Sequence, residues 1–142
     1  MQKEENEILA RLIDNIIDQW KSESIRLNGP SSLEVIEQVE NLVQFSFPDD
    51  FKALYLRVDG FKDWDVRPNM FSIWPLERIV DEYKENQDKN FIGFSDYLIN
   101  SHHIGFYKHK IGIYICHAEY FAISPNFIES IQAINSDSEA IY

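Results

Sequence analysis

The period of the apolar residues changes once along this chain, and that change constrains the fold more than any single motif. As far as Tyr83, apolar residues recur three and four positions apart, the spacing of one buried helix face. From Phe91 to Cys116 the chain turns to short runs rich in aromatic and β-branched residues, the composition of strands. A last helical segment then closes it. Helices, a block of strands and a closing helix indicate an α+β fold rather than alternating βαβ units.

The helical part divides at proline and glycine. Ile8, Leu9, Leu12, Ile13, Ile16, Ile17 and Trp20 make the stripe of a first helix, predicted over about residues 3–27 and ending before Asn28 and Gly29. Ser31 and Glu34 have capping-box spacing ahead of a second helix, with Leu33, Ile36, Val39, Leu42 and Val43 as its buried face. In "FSFPDDFKALYLRVDGFKDWD", Phe45 to Asp65, Pro48 suits a first helical turn and Asp49 and Asp50 suit the positive end of the helix dipole. Phe51, Leu54, Tyr55 and Val58 share a face, and Gly60 can take the left-handed conformation that ends a helix.

"MFSIW" is a strand candidate, and "PLERIVDEYKENQ" reads as a fourth helix with Leu76, Ile79, Val80 and Tyr83 inward. "FIGFS", "YLINSHHIGFYK" and "KIGIYICH" are predicted as neighbouring antiparallel strands, with turns at "HKIG" and "HAEY". Ser124 is expected to cap, and Pro125 to open, a helix that buries Phe127, Ile128, Ile131 and Ile134. The tail after Asn135 is expected to fray.

A chain of 142 residues, 44% hydrophobic and 14% aromatic, can build one core without staples. Cys116 is the only cysteine, so an intramolecular disulfide and a cysteine-ligated structural zinc are excluded. The first residues carry acids where a signal peptide needs a basic start, and charges interrupt every apolar run, so the expected place is the cytosol, away from membranes. The formal net charge of -11 has the wrong sign for binding nucleic acid or anionic lipid, and a partner selected by long-range charge is basic.

Phosphate-binding loops, dinucleotide fingerprints, nucleophile elbows and H-E-x-x-H pairs do not occur in the sequence. Asp63 and Asp65 would serve acid–base catalysis only with separated pKa values across a pocket, and they read better as a solvated or binding loop. His102 and His103 are neighbours on a predicted strand and point to opposite faces; His109 stands between Lys108 and Lys110. With His117 they read as exposed strand and turn residues, and Cys116 as a small packed hydrophobe. The aromatics of "HHIGFYK" are similar to a stacking face for single-stranded nucleic acid, but without a basic stripe Phe106 and Tyr107 read as sheet and core residues. Catalytic, metal and cofactor residues are therefore not assigned.

The order of motifs resembles the SUKH superfamily, related to the yeast cell-wall assembly regulator. Its leading motif is a helix with a characteristic Glu, then leucine-proline, a short helix and asparagine-glycine. In "PSSLEVIEQVENLVQFSFPDDFKALYLRVDGF" Glu40 would be that acid, with Phe47-Pro48 and Asp59-Gly60 in the places of the two dipeptides. "IWPLERIVDEY", "FIGFSDYLI" and "YFAISPNFIESIQAI" are similar to the later helix start, aromatic strand, and closing strand and helix, over about residues 30–134. The resemblance implies a single SUKH-like domain over 1–142, with a mixed or mainly antiparallel sheet flanked by helices and without catalytic residues. It also implies an immunity protein bound to a polymorphic toxin, often a nuclease. The alternative is a scaffolding or regulatory interaction module. A basic nuclease cleft is a surface that an acidic protein can block.

These readings converge on the loop after Gly60. An aromatic flanked by acids is the pattern of a binding patch, Trp as anchor and carboxylates as steering charges. Asp59, Asp63, Trp64 and Asp65 are the expected partner-binding residues. Trp64 could instead fold back over the helix ends.

Overall fold

A computed structural model describes residues 2–117 and 119–142. The elements run α1 (Gln2–Ser22), α2 (Leu33–Val43), α3 (Asp49–Tyr55), β1 (Phe71–Ile73), α4 (Leu76–Glu85), β2 (Phe91–Tyr97), β3 (His102–Tyr107), β4 (Ile113–Cys116), β5 (Tyr120–Ser124) and α5 (Phe127–Asn135). The strands form one antiparallel sheet in the order β1-β2-β3-β4-β5, so the fold is α+β, with an entirely antiparallel sheet.

The first helix stops earlier than its expected end near residue 27. Ser24 turns left-handed at φ 61°, and the Ile25 N–H bonds back to the Trp20 carbonyl, which folds Ile25 into the core beside Ile13, Ile16, Ile17 and Trp20. The cap of α2 is Ser32, not Ser31: its hydroxyl accepts from Val35 N–H. Ile36, Val39 and Val43 are buried, whereas Leu33 and Leu42 lie exposed, each about a quarter turn from the stripe's centre.

Glu40 acts locally. Its carboxylate accepts from Phe47 N–H at 2.6 Å and pairs with Lys52 at 3.5 Å, fastening the link between α2 and α3. Pro48 then serves as the N-cap of α3, whose Phe51 and Tyr55 rings stack at 4.2 Å. Phe127 of α5 meets the Phe51 ring edge-on at 5.0 Å and Phe94 of β2 at 4.9 Å, so aromatic contacts join α3, α5 and the sheet.

Gly60 is left-handed, φ 66°, but it does not close α3, which ends at Tyr55. Its requirement is proximity: a Cβ there would lie 2.4 Å from the Trp74 backbone. Phe61 N–H bonds to Ile73 C=O, and Asp59 accepts from Leu76 N–H, so the 59–61 segment is held against β1 and the start of α4.

The last helix is capped by Asn126 rather than Ser124, which belongs to β5. The 117–119 turn closes with a bond from His117 N–H to Glu119 C=O; Ala118, within the expected "HAEY" turn, is outside the described residues. The expected fraying after Asn135 is not observed. A 3-10 turn at Glu139–Ile141 buries Ile141, whose carbonyl lies 3.0 Å from His102 Nε2.

Candidate partner-binding cleft

Between the 59–65 segment and α4 lies an open cleft of about 660 Å³. Asp59, Asp63 and Asp65 line one side, and Glu77, Asp81, Glu82 and Glu85 come from α4; Arg78 is the one basic side chain in the lining. Glu77, Asp81 and Glu85 recur every fourth residue and form an exposed ridge opposite the buried Ile79 and Val80. None of the three makes an ion pair among the described residues.

The four expected binding residues do line this cleft, in different states. Asp59 is half-buried and its side-chain oxygen accepts from Leu76 N–H at 2.7 Å, capping α4. Burial pushes its carboxyl above the ordinary range against the pull of that bond, and nearby Glu77 adds to the rise. Asp65 accepts from Arg26 N–H at 2.8 Å, which holds its carboxyl below the usual range, assisted by Val66 N–H and the Arg26 side chain. Asp63 is exposed and lies 3.4 Å from the same guanidinium. Two of the expected steering charges are therefore already paired, and the ridge on α4 carries the unpaired ones.

Trp64 takes neither extreme. It is 54% exposed, and the Arg78 guanidinium lies over its ring at 3.7 Å. The buried Trp74 ring lies 4.5 Å from the same guanidinium, so the cation contacts one exposed and one buried indole. Trp74 is seated against Gly93, where a Cβ would come within 3.0 Å of its ring. Below the rings, Arg78 Nη2 donates to Asp96 Oδ2 at 2.9 Å. Burial raises the Asp96 carboxyl, but bonds from Ser72, Trp74 and Asn100 and the charge of Arg78 bring it below its ordinary value. Arg78 is only 7% exposed, and its Nε–H has no hydrogen-bond partner among the described residues.

Arg78, Asp96 and the α4 ridge had no place in the sequence reading. The ridge had a signal, since Glu77, Asp81 and Glu85 fall on the face opposite Ile79 and Val80. The Arg78–Asp96 pair had none: the residues meet because the β1–β2 register sets Asp96 beside Ser72.

His109 and His117 are exposed as expected, but His102 and His103 are not. His102 is buried, stacked on Tyr97 at 5.2 Å and 4.7 Å from the His117 ring, not exposed. His103 stands directly across from Cys116 in the β3–β4 register and meets the Trp74 ring edge-on. Its Nε2 bonds to Asn100, while the Cys116 thiol bonds to the His117 carbonyl and burial pushes it up; this arrangement does not make an activated thiolate. Cys116 is half-buried rather than packed away. Phe106 is buried as expected, but Tyr107 is half-exposed and meets Tyr120 and Tyr114. Three or more His, Cys, Asp or Glu groups placed to hold a metal are not found among the described residues. No described helix is long and apolar enough to cross a membrane.

Comparison with known families places this α+β domain. The family described as SMI1 / KNR4 (SUKH-1) matches residues 30–133, and the chain belongs to that family. No curated protein matches the chain. The match takes in Glu40, Pro48 and Gly60 and all of the cleft lining except Asn28 and Gly29.

Proposed function

We propose that this chain is a non-enzymatic binding protein that neutralises a cognate protein toxin in the cytosol of the cell that makes both. Membership in the SUKH-1 family supports a role as an immunity protein or as an interaction module of the SMI1 / KNR4 kind. The observation that carries the choice is the cleft: seven carboxylates and an exposed indole around one neutralised arginine. Such a surface attracts and orients a basic protein face, as presented by a nuclease that must itself attract phosphate. The indole supplies contact area that resists dissociation.

The test is to isolate the chain with its partner from the native host and assay the partner's activity with and without it. Stoichiometric inhibition that weakens with salt supports the reading. Turnover by the chain itself, or a tight partner whose activity is unaffected, overturns it; the second result favours a housekeeping scaffold.

A further inference from the structure

We propose that the cleft is a subsite for one arginine side chain on an extended segment of the partner, whose backbone carbonyl accepts a hydrogen bond from Arg78. The inference rests on the partner being a basic protein, and it specifies what the cleft takes from that protein.

Three separate demands point to this ligand. The α4 ridge of Glu77, Asp81 and Glu85 has carboxylates without counter-ions among the described residues, and it calls for a cation. Arg78 makes the opposite demand. It lines the same cleft, is 7% exposed, and holds an Nε–H without an acceptor, although its Nη2 is bound to Asp96. A cation cannot answer an N–H donor, and a carboxylate would be repelled by the surrounding acids; a neutral carbonyl suits both. The third demand comes from Trp64, which has one ring face on Arg78 and more than half its surface free. A planar guanidinium can stack on that free face and still pair with two carboxylate oxygens, which an ammonium cannot do. A peptide carrying arginine meets all three demands at once; a free polyamine lacks the carbonyl.

The Arg78 Nε–H is buried in the unbound chain and the Trp64 ring lies over the guanidinium, so engagement includes a tilt of the indole off Arg78. Trp64 and Asp63 are both left-handed, φ 62° and 54°, in the short turn that would move. Trp20 and Trp74 are fully buried, which leaves Trp64 as the fluorophore that senses occupancy.

The probe is a blocked tripeptide, acetyl-Gly-Arg-Gly-amide, titrated into the full chain and followed by the nitrogen–proton signals of Arg78 Nε and the Trp64 indole. Its citrulline and lysine counterparts and spermidine are the controls. The arginine peptide is expected to saturate both signals and to bind roughly ten-fold more tightly than the citrulline peptide, the loss expected when a charge-assisted bond is removed. The lysine peptide should bind more weakly, and spermidine should leave the Arg78 signal in place. Asp81→Asn with Glu85→Gln, both on the exposed ridge, should weaken the arginine peptide several-fold with an unchanged melting temperature. Equal binding of the citrulline peptide, movement of the Arg78 signal by spermidine, or unsaturable shifts spread over all surface acids would overturn the subsite. The two readings fail separately. Arginine-peptide binding by a chain that inhibits no protein upholds the subsite and removes the toxin reading; a neutralised toxin indifferent to the ridge variants, with no peptide binding, does the reverse.

Discussion

Two arginines are buried in this protein to nearly the same degree, Arg67 at 5% exposure and Arg78 at 7%, yet their surroundings differ in kind. Arg67 is saturated. Its Nε and Nη2 grip both oxygens of Glu23 at 3.0 and 2.7 Å, and Nη1 and Nη2 reach the carbonyls of Ile134 and Asn135 at the end of α5. The fork thus joins the end of α1 to the end of α5, and it is not part of the cleft lining. Arg78 has a strong carboxylate bond on one nitrogen only, two indoles within cation–π reach, an unpartnered Nε–H and a place in the cleft lining. A buried cation with every nitrogen bonded does structural work; one left with an unpartnered Nε–H beside a cleft retains bonding capacity for something else.

The comparison predicts unequal costs. Arg67→Met removes the cation paired with the largely buried Glu23 carboxylate, while the Ile134 and Asn135 carbonyls keep Asn69 and Gln19 as donors; it should destabilise by about 3 to 5 kcal/mol. The melting temperature should fall on the order of 10 °C. Adding Glu23→Leu should restore much of it, because the stranded charge goes too. Arg78→Met should cost less, about 2 kcal/mol, since Asp96 keeps donors from Ser72, Trp74 Nε1 and Asn100 N–H. Denaturant unfolding of the two variants checks the order; equal losses would erase the distinction between a clamp and a site.

The clamp and the site were legible to different extents. Helix faces such as Phe51, Leu54 and Tyr55, or Phe127, Ile128, Ile131 and Ile134, follow from spacing because burial selects a period. Caps were displaced: Ser31 and Ser32 are equivalent as letters, and only the extended backbone of Ser32 chooses between them. That Trp64 stands on an exposed loop followed from Gly60 and the acids around it, but the cleft and the contact with Arg78 did not, since they depend on how α4 is set against the 59–65 segment. The Arg67–Glu23 clamp, 44 residues apart in sequence, and the buried tail at Ile141 are products of tertiary packing with no periodic signature.

Acid should separate the two regions further. His102 stacks on Tyr97 and bonds to the carbonyl of Ile141, and burial depresses its pKa against the pull of that bond, with the neighbouring His117 and His103 charges adding to the fall and Asp96 opposing it. A histidine depressed in the folded state binds its proton more readily when unfolded, so its cost is absent above the unfolded value of about 6.5 and grows as pH falls below it. The Asp96 carboxyl is depressed as well, but for an acid this means stability that is full above its ordinary value and lost only as pH falls further. Contacts around Ile141 and Tyr142 should therefore loosen, by amide exchange, at pH near 6 and below, while the Arg78–Asp96 contacts persist. His102→Phe should flatten the first change and leave the second. Simultaneous loss of both would show that the regions are not independent.

The smallest effect on stability, and the sharpest on function, is expected at the cleft's rim. Trp64→Ala removes a half-exposed ring and one cation–π contact, which should lower stability by about 1 kcal/mol or less. Against a partner its main effect should be faster dissociation, because a central aromatic governs how long a complex lasts. Asp63 and Asp65 share Arg26, so Asp63→Asn with Asp65→Asn removes charges that are already half neutralised and should alter association only slightly. Asp81→Asn with Glu85→Gln removes unpaired charge from the ridge and should slow association more and flatten its dependence on salt, again with little loss of stability. Rates measured at two ionic strengths for both pairs distinguish the walls of the cleft. If the aspartate pair has the larger effect, steering belongs to the loop around Trp64; if the α4 pair does, the loop provides the anchor and the helix provides the field.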